Sequence, residues 1–179
     1  QFDYICDIFS AKSAASIVRK DILLRIGGFD EDYYMYLEET DLCWRVWLAG
    51  YRVVFVPKSV VYHAYGTSKK VKEKYYSSYT VRYYGCRNYI STVIKNAGLM
   101  NLFKILPLQA FSMFGISLFF LVKLKFQDAF WVIKAICWNV LHIGSLARKR
   151  NFIQRKIRRV GDNMIMDKIM INKPFSYYF

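Results

Sequence analysis

The chain has 179 residues, enough for one domain with a substantial core, and 55% of them are hydrophobic, with 18% aromatic. Its net charge of +14 is uneven: residues 1–68 hold seven Lys and Arg against nine Asp and Glu, whereas residues 69–179 hold twenty against four. A basic second part suits an anionic partner, and this apolar content favours lipid over nucleic acid. The four scattered cysteines, without a C-x-x-C pair, argue against a zinc cluster and a disulfide framework.

The first 68 residues predict short helices alternating with extended segments. Turn and breaker residues separate them, since Gly-Gly ends one helix and Pro57 ends a β-branched run. In chain order the predicted elements are a short strand or extended segment at 13–18, a helix at 19–26, a helix at 37–48 and a strand at 51–56.

The remaining residues predict an α-helical region with two apolar segments. Lysines and arginines interleave with tyrosines up to residue 88 on a predicted helix. Residues 105–122 are 18 residues without charge, and residues 129–147 are 19 residues with Lys134 as the one charge. Residues 148–159 then hold seven Lys and Arg in twelve, before a predicted helix at 162–170.

Two carboxylates stand at the predicted start of the second helix. Free amides and the helix dipole favour negative charge at the position of Glu38 and Glu39, so capping alone is the simpler interpretation. A catalytic role requires a carboxylate held ionised where it can accept a proton from a hydroxyl. The preceding Gly27 and Gly28 would let a substrate approach the backbone.

Neighbouring residues also have simple structural interpretations. Asp41 and Arg45 are four apart on the helix and suit a surface ion pair. Asp30 suits a turn-forming role after Gly28, and Trp44 lies among apolar positions that favour core packing over sugar stacking.

The motifs G-G-F-D-E, Y-L-E-E-T-D-L-C-W-R and P-K-S-V-V-Y-H, in this order, resemble the family 2 glycosyltransferases, particularly the rhamnosyltransferase-like members. The resemblance implies an α/β, Rossmann-like GT-A domain and an inverting, metal-assisted sugar transfer from a nucleotide-sugar donor. It places Glu39 at the position of the catalytic base, in place of the more usual Asp. Glu38 takes the first acidic position of the motif and Asp41 the following one.

The resemblance also implies binding residues. The substrate-binding set would be Gly27, Gly28, Phe29, Asp30, Trp44 and Arg45. His63 matches a family histidine that binds the divalent metal, Mg²⁺ or Mn²⁺, although a lone histidine after a strand is more often a structural hydrogen-bonding residue.

The donor-binding half of such an enzyme, with its Asp-x-Asp motif, has no counterpart in residues 1–26. We therefore expect a fragment that is inactive alone. Its expected parts are an acceptor-side portion of a GT-A domain at 1–96, two hydrophobic helices at 97–147 and a basic helical tail at 148–179.

The apolar segments leave three arrangements open: a membrane hairpin, a pair of helices lying in the interface, and a soluble helical appendage. We expect membrane association through anionic headgroups, with the catalytic part on the cytoplasmic face of the cell membrane. The expected function is transfer of a sugar, with rhamnose the family-weighted choice, to a lipid-linked or polysaccharide acceptor. A catalytically inactive, membrane-attached scaffold is the alternative, and neither nucleic-acid binding nor a particular oligomeric state is expected.

Overall fold

The computed structural model describes residues 3–63 and 78–169, most of which are helical. The elements in chain order are β1 (Cys6–Asp7), a 3₁₀ turn (Ser13–Ala15), α1 (Lys20–Arg25), α2 (Glu38–Leu48), β2 (Val54–Phe55), α3 (Ser78–Asn96), α4 (Leu99–Val122), α5 (Phe126–Leu141), α6 (Ile143–Phe152), a π-helical turn (Ile153–Ile157) and α7 (Asp162–Ile169). β1 and β2 pair antiparallel. Because this pair is the only sheet in the described residues, the expected Rossmann-like α/β fold stays a prediction.

The predicted helices at 19–26, 37–48 and 162–170 are confirmed to within a residue or two at the ends that the structure describes. The predicted helix before residue 88 is described from Ser78 onward, and its earlier part lies outside the described residues. The uncharged segment at 105–122 is confirmed as helical, but α4 begins earlier, at Leu99.

Three sequence predictions were wrong in extent or type. Residues 13–18 contain a 3₁₀ turn rather than a strand, and the strand predicted at 51–56 shrinks to Val54–Phe55. Residues 129–147 are not one helix, because the chain bends by 63° at His142 between α5 and the helix that follows. The apolar composition of this segment did not reveal the break.

The first hydrophobic core joins the N-terminal elements to the basic tail. Its buried members are contributed by α1, α2, the π-helical turn and α7: Ile22, Ile26, Leu42, Val46, Trp47, Leu48, Ile153, Ile157 and Ile165. The backbone N–H groups of Arg159 and Val160 both donate to the carbonyl of Leu48 at the end of α2. The domain boundary expected at residue 148 stays a prediction. Residues of the tail nevertheless complete the hydrophobic core of residues 3–63, the N-terminal part of the chain.

A second core lies between α3, α4 and α5. Ile90 and Ile94 of α3 meet Met113 of α4 and Val132 of α5 in one buried cluster. A turn of two residues joins α3 to α4. Ile90 and Ile94 pack with Met113, and Arg82, earlier on α3, lies over the Phe120 ring, later on α4, so the two helices run antiparallel. The Arg82–Asp128 ion pair sets the N-terminal end of α3 beside the start of α5.

Side chains from the tail bind the last carbonyls of α3, which a helix cannot satisfy internally. Arg150 donates to the carbonyls of Ile94 and Ala97 at 2.6 and 2.7 Å, and Arg158 donates to that of Asn96 at 2.6 Å. These cations therefore stabilise the negative end of the helix dipole. Only part of the basic segment expected to bind headgroups stays exposed: Arg148, Arg155, Lys156 and Arg159.

Asp162 joins the tail to the start of α4. Its carboxylate accepts hydrogen bonds from the Gly98 amide at 2.7 Å, the Asn101 side chain at 2.8 Å and Arg158 at 2.7 Å. Burial alone would raise the pKa of Asp162, but these hydrogen bonds and the Arg158 charge lower it below its usual value. A side chain at residue 98 would crowd this carboxylate, since a Cβ there would lie 2.8 Å from the Asp162 Oδ2.

Among the described residues, α4 is the single helix long and apolar enough to cross a membrane, and α5 with the bent segment after it meets the same criteria only as a pair. Apart from Lys104 and Ser112, the exposed side chains of α4 are apolar, while Gln109 and Ser117 are buried. This polarity is the reverse of that of a helix on a water-soluble protein.

We predict that Gly98→Ala lowers stability by about 1–2 kcal/mol, because the new methyl group displaces the Asp162 carboxylate from the start of α4. Gly115→Ala is the control, since no heavy atom lies within 4 Å of its Cβ position, and alanine there should be neutral or stabilising by up to about 1 kcal/mol. Thermal unfolding in mild detergent measures both. Equal melting temperatures of the two variants would contradict the role of Asp162.

Candidate active site

The Gly-Gly turn after α1 confirms the predicted helix end. Gly27 and Gly28 have φ angles of 86° and 66°, in the left-handed region that glycine adopts without strain. A Cβ on Gly27 would meet the Phe152 ring at 3.4 Å, whereas no heavy atom lies within 4 Å of the Cβ position of Gly28. Gly28 therefore leaves space beside the backbone, which its predicted substrate contact needs.

The Asp41–Arg45 pair is buried, and its prediction as a surface pair was wrong. The exposed fractions of the two side chains are 0% and 5%, and the Arg45 Nη2 lies 2.8 Å from the Asp41 Oδ2. Arg45 also donates to the carbonyls of Ile26 and Gly28 at 2.6 and 2.7 Å. The guanidinium thus holds the Gly-Gly turn against α2.

Residues of α3 complete the charge balance around Asp41. The Lys95 Nζ lies 2.9 Å from the Asp41 Oδ1, and Asn96 donates to the same oxygen at 2.7 Å. Lys95 is itself 1% exposed, forms an ion pair with Asp30, and lies 4.4 Å from the centre of the Tyr33 ring. The contacts of Asp41 define a structural role, and its predicted place as a second catalytic acid stays a prediction.

Asp30 holds the turn in the way that the sequence predicted and also binds cations. Its Oδ1 accepts a hydrogen bond from the Asp32 amide at 3.1 Å, and its carboxylate forms ion pairs with Lys95 and Lys149. Burial opposes the charged form, but Lys95 and Lys149 outweigh it and lower the pKa of Asp30 to about 2. Its predicted substrate contact stays a prediction.

Asn88 of α3 stabilises a strained turn just before the Glu pair. Tyr36 and Leu37 have φ angles of 66° and 67°, which non-glycine residues rarely adopt. The Asn88 side chain donates to the carbonyls of Met35 and Tyr36 at 2.8 and 2.9 Å. The strain therefore lies at the start of α2, where this amide compensates for it.

The α3 residues that support the site were not predicted from the sequence. A signal was present, because polar residues recur on one helical face at spacings of three and four. These residues are Asn88, Thr92, Lys95 and Asn96.

Glu38 and Glu39 form the first turn of α2, where the helix has no side-chain cap. Each is partly buried, and one oxygen of each is buried without a hydrogen-bond partner among the described residues. Burial is the main cause that raises the pKa of Glu38, and the charge of Glu39 and a hydrogen bond shared with it act in the same direction. Burial and the neighbouring Glu39 therefore favour the protonated form of Glu38 at this helix start.

The two predicted aromatic contacts differ in exposure. Phe29, on the Gly-Gly turn, is 50% exposed and so available to a ligand. Trp44 is partly buried, packs against the first core and makes an edge-to-face contact with Phe9 at 5.4 Å between ring centres. The geometry of Trp44 agrees with core packing, and its role in substrate binding stays a prediction.

His63 lies on an exposed stretch after β2. Within residues 3–63 and 78–169, no three His, Cys, Asp or Glu side chains come together to hold a metal ion. One imidazole does not hold Mg²⁺ or Mn²⁺, which take several oxygen ligands. The described residues alone therefore do not fit a metal site, and no step of the chemistry below involves one.

Comparisons with known proteins find short local similarity to rhamnosyltransferases. A stretch of 41 residues is 49% identical to "Rhamnosyltransferase WbbL" of Escherichia coli (strain K12) and covers 23% of this chain and 16% of that protein. A stretch of 47 residues is 45% identical to the "N-acetylglucosaminyl-diphospho-decaprenol L-rhamnosyltransferase" of Mycobacterium tuberculosis, covering 26% of this chain and 15% of that protein. The matches support a glycosyltransferase-like relationship over a short part of each relative.

No family model matches the chain, and no solved structure matches it.

We predict that Asp30 makes stability depend on pH in the acid range. Because its folded pKa is depressed, its contribution is fully present above pH 4 and is lost as pH falls toward about 2, by about 1–2 kcal/mol after solvent screening. Asp30→Asn should remove this part of the acid transition and destabilise the protein at neutral pH by about 2–4 kcal/mol, since Lys95 loses one of two buried partners.

The control is Asp21→Asn, which removes an exposed carboxylate paired with Arg19. Solvent screens this pair, so the variant should keep the acid transition and the neutral-pH stability of the parent. Tryptophan fluorescence during acid titration measures both variants. An unchanged acid transition in Asp30→Asn would show that the network around Lys95 does not depend on Asp30.

Proposed function

We propose that the chain provides the acceptor side of a glycosyltransferase that moves a sugar from a nucleotide-sugar donor to a glycan or lipid-linked acceptor. The observation that supports this most directly is the Glu38–Glu39 pair, partly buried at an uncapped helix start. The strained turn at Tyr36 and Leu37 fixes where that helix starts, and Gly28 leaves open space beside the nearby turn. The short similarity to rhamnosyltransferases gives the reaction class, and rhamnose is the sugar that we propose.

In the proposed reaction, Glu39 accepts the proton of the acceptor hydroxyl as that oxygen attacks the anomeric carbon. The bond from this carbon to the nucleotide diphosphate breaks, and the diphosphate leaves with the electron pair. Attack from the opposite face inverts the configuration. Glu38, whose pKa is raised by burial and by Glu39, stabilises the proton once it has been transferred to the pair.

The network around Lys95 positions this base without touching the substrate. Asp41 and Arg45 anchor α2 to the Gly-Gly turn, and Asn88 binds the carbonyl of Tyr36 two residues before Glu38. A base held on a rigid helix start keeps its geometry when an acceptor arrives. We also propose that the enzyme binds a nucleotide-sugar donor and a divalent metal, with His63 as one ligand of that metal.

The proposed location is the cytoplasmic face of the cell membrane, where a lipid-linked acceptor would be presented. α4 supports the membrane part of this proposal, because its outward residues are apolar over most of its length. The relatives from Mycobacterium tuberculosis are named for a substrate linked to decaprenol, which is consistent with a membrane-bound acceptor.

We predict that Glu39→Gln lowers kcat by about 10²–10⁴ and leaves donor binding nearly unchanged, because the amide keeps the shape but does not accept the proton. Glu38→Gln should have a smaller effect. Transfer of radiolabelled rhamnose from its nucleotide donor, in membranes containing the natural protein, measures both variants.

Glu31→Gln is the matched control. Glu31 is an exposed carboxylate just after the Gly-Gly turn, and its substitution should leave kcat unchanged. A kcat for Glu39→Gln equal to the parent value would rule out Glu39 as the base. Retained acceptor binding without transfer in the parent protein would favour the scaffold function instead.

A further inference from the structure

An apolar surface covers the outward side of α4 and α5. On α4, Met100, Phe111 and Val122 are 71%, 75% and 73% exposed. Thirteen other large apolar side chains of the two helices have exposed fractions of 40% or more, among them Phe103, Leu108, Phe114, Phe126, Phe130 and Leu141. A contiguous apolar surface of this extent requires a cover, which is a lipid or another protein.

Basic residues lie at both ends of this surface, and Lys104 of α4 and Lys134 of α5 are exposed within the two helices. Lys123 and Lys125 are exposed in the turn between α4 and α5, and Arg155 and Lys156 are exposed in the tail that packs at the start of α4. Between residues 97 and 161 the sequence contains one acid, Asp128, which pairs with Arg82. An apolar surface with cations at its margins complements anionic lipid headgroups rather than a water-soluble partner.

The N-terminal part packs along α3 over most of the length of that helix. Its contacts begin with the Tyr34 ring against Tyr84 and end with Asp41 bound by Asn96. Twelve residues of helix span about 18 Å between these contacts. Polar and charged groups therefore cover this length of α3.

The apolar helix α4 lies beside the same length of α3. The Phe120 ring packs under the Arg82 guanidinium at 4.4 Å, and Met113 packs with Ile90 and Ile94. Because the two helices are antiparallel, the middle of α4 is level with the middle of the polar contact on α3. An α4 standing along the membrane normal would place the N-terminal part within a hydrocarbon layer about 30 Å thick.

We infer that α4 and α5 lie in the plane of the membrane, within one leaflet, and that the protein binds an anionic bilayer from one side without crossing it. The outward apolar side chains enter the acyl region, and the N-terminal part stays in water on the opposite side of α3. Lys123 and Lys125 then meet the same headgroups as Arg155 and Lys156, whereas a hairpin would translocate the first pair. This inference does not depend on the proposed chemistry.

Modification of native lysines tests the orientation. In a bacterial host, a membrane-impermeant amine reagent is added to sealed inside-out vesicles and, separately, to intact spheroplasts, and modified peptides are quantified by mass spectrometry. Lys58 and Lys156 are both exposed, and their reaction shows on which side of the membrane residues 3–63 and the basic tail lie. We expect Lys123 and Lys125 to react together with Lys58 in inside-out vesicles and not in spheroplasts.

Reaction of Lys123 and Lys125 in spheroplasts alone would overturn the inference in favour of a crossing hairpin. Recovery of the protein in the soluble fraction of the lysed host would also overturn it, because another protein would then cover the apolar surface. Neither outcome bears on Glu39, so failure here is distinguishable from failure of the proposed function.

The lipid charge is tested with the purified protein and vesicles containing phosphatidylglycerol. Arg155→Gln combined with Lys156→Gln should weaken binding to these vesicles, measured by flotation, by about 25-fold at low salt, from about fivefold for each headgroup contact. The control combines Lys20→Gln with Lys58→Gln, two exposed lysines of the N-terminal part, and should bind as the parent does. Equal loss in both double variants would contradict headgroup contacts by the tail.

Discussion

A buried ion network formed by Asp30, Asp41, Arg45 and Lys95 holds the candidate site together. Arg45 and Asp41 join α2 to the Gly-Gly turn, and Lys95 joins both to α3. Charges taken out of water are costly unless every partner is present, so the network favours one arrangement of these segments over slightly shifted ones. The position of the Glu pair at the start of α2 follows from that arrangement.

The helical part has the opposite polarity from an ordinary soluble domain. Asn139 and Ser91 bind each other at 2.7 Å in the interior, while phenylalanines and leucines of α4 point outward. The tail serves both parts, since Ile153 and Ile157 fill the first core and Arg150 and Arg158 bind the end of α3. The basic segment that was predicted from sequence as a separate headgroup-binding tail therefore also stabilises the fold, and only its outward cations stay exposed.

Local structure was predictable from the sequence at positions where a residue type has one well-defined physical role, such as ending or starting a helix. Gly27 and Gly28 marked a helix end, and the acids at 38 and 39 marked a helix start. Asp41 and Arg45 were predicted to form a surface pair, because spacing within one helix says nothing about what packs on it. Asn88 and Lys95 were not predicted at all, because their partners lie more than fifty residues away in the chain.

By itself, the sequence determined the positions of most helices, the helix end before Gly27 and Gly28, the acidic motif with its resemblance to sugar-transferring enzymes, and the separation of an apolar, basic part from an acidic one. These features depend on neighbouring residues and on composition, which act before the chain folds. Only the tertiary structure decided that Asp41 is buried, that the apolar segment bends at His142, and that the N-terminal part packs on α3, which also packs against α4. Those outcomes depend on desolvation and packing between distant segments, because the environment of a charge or an apolar side chain exists only once its neighbours are in place.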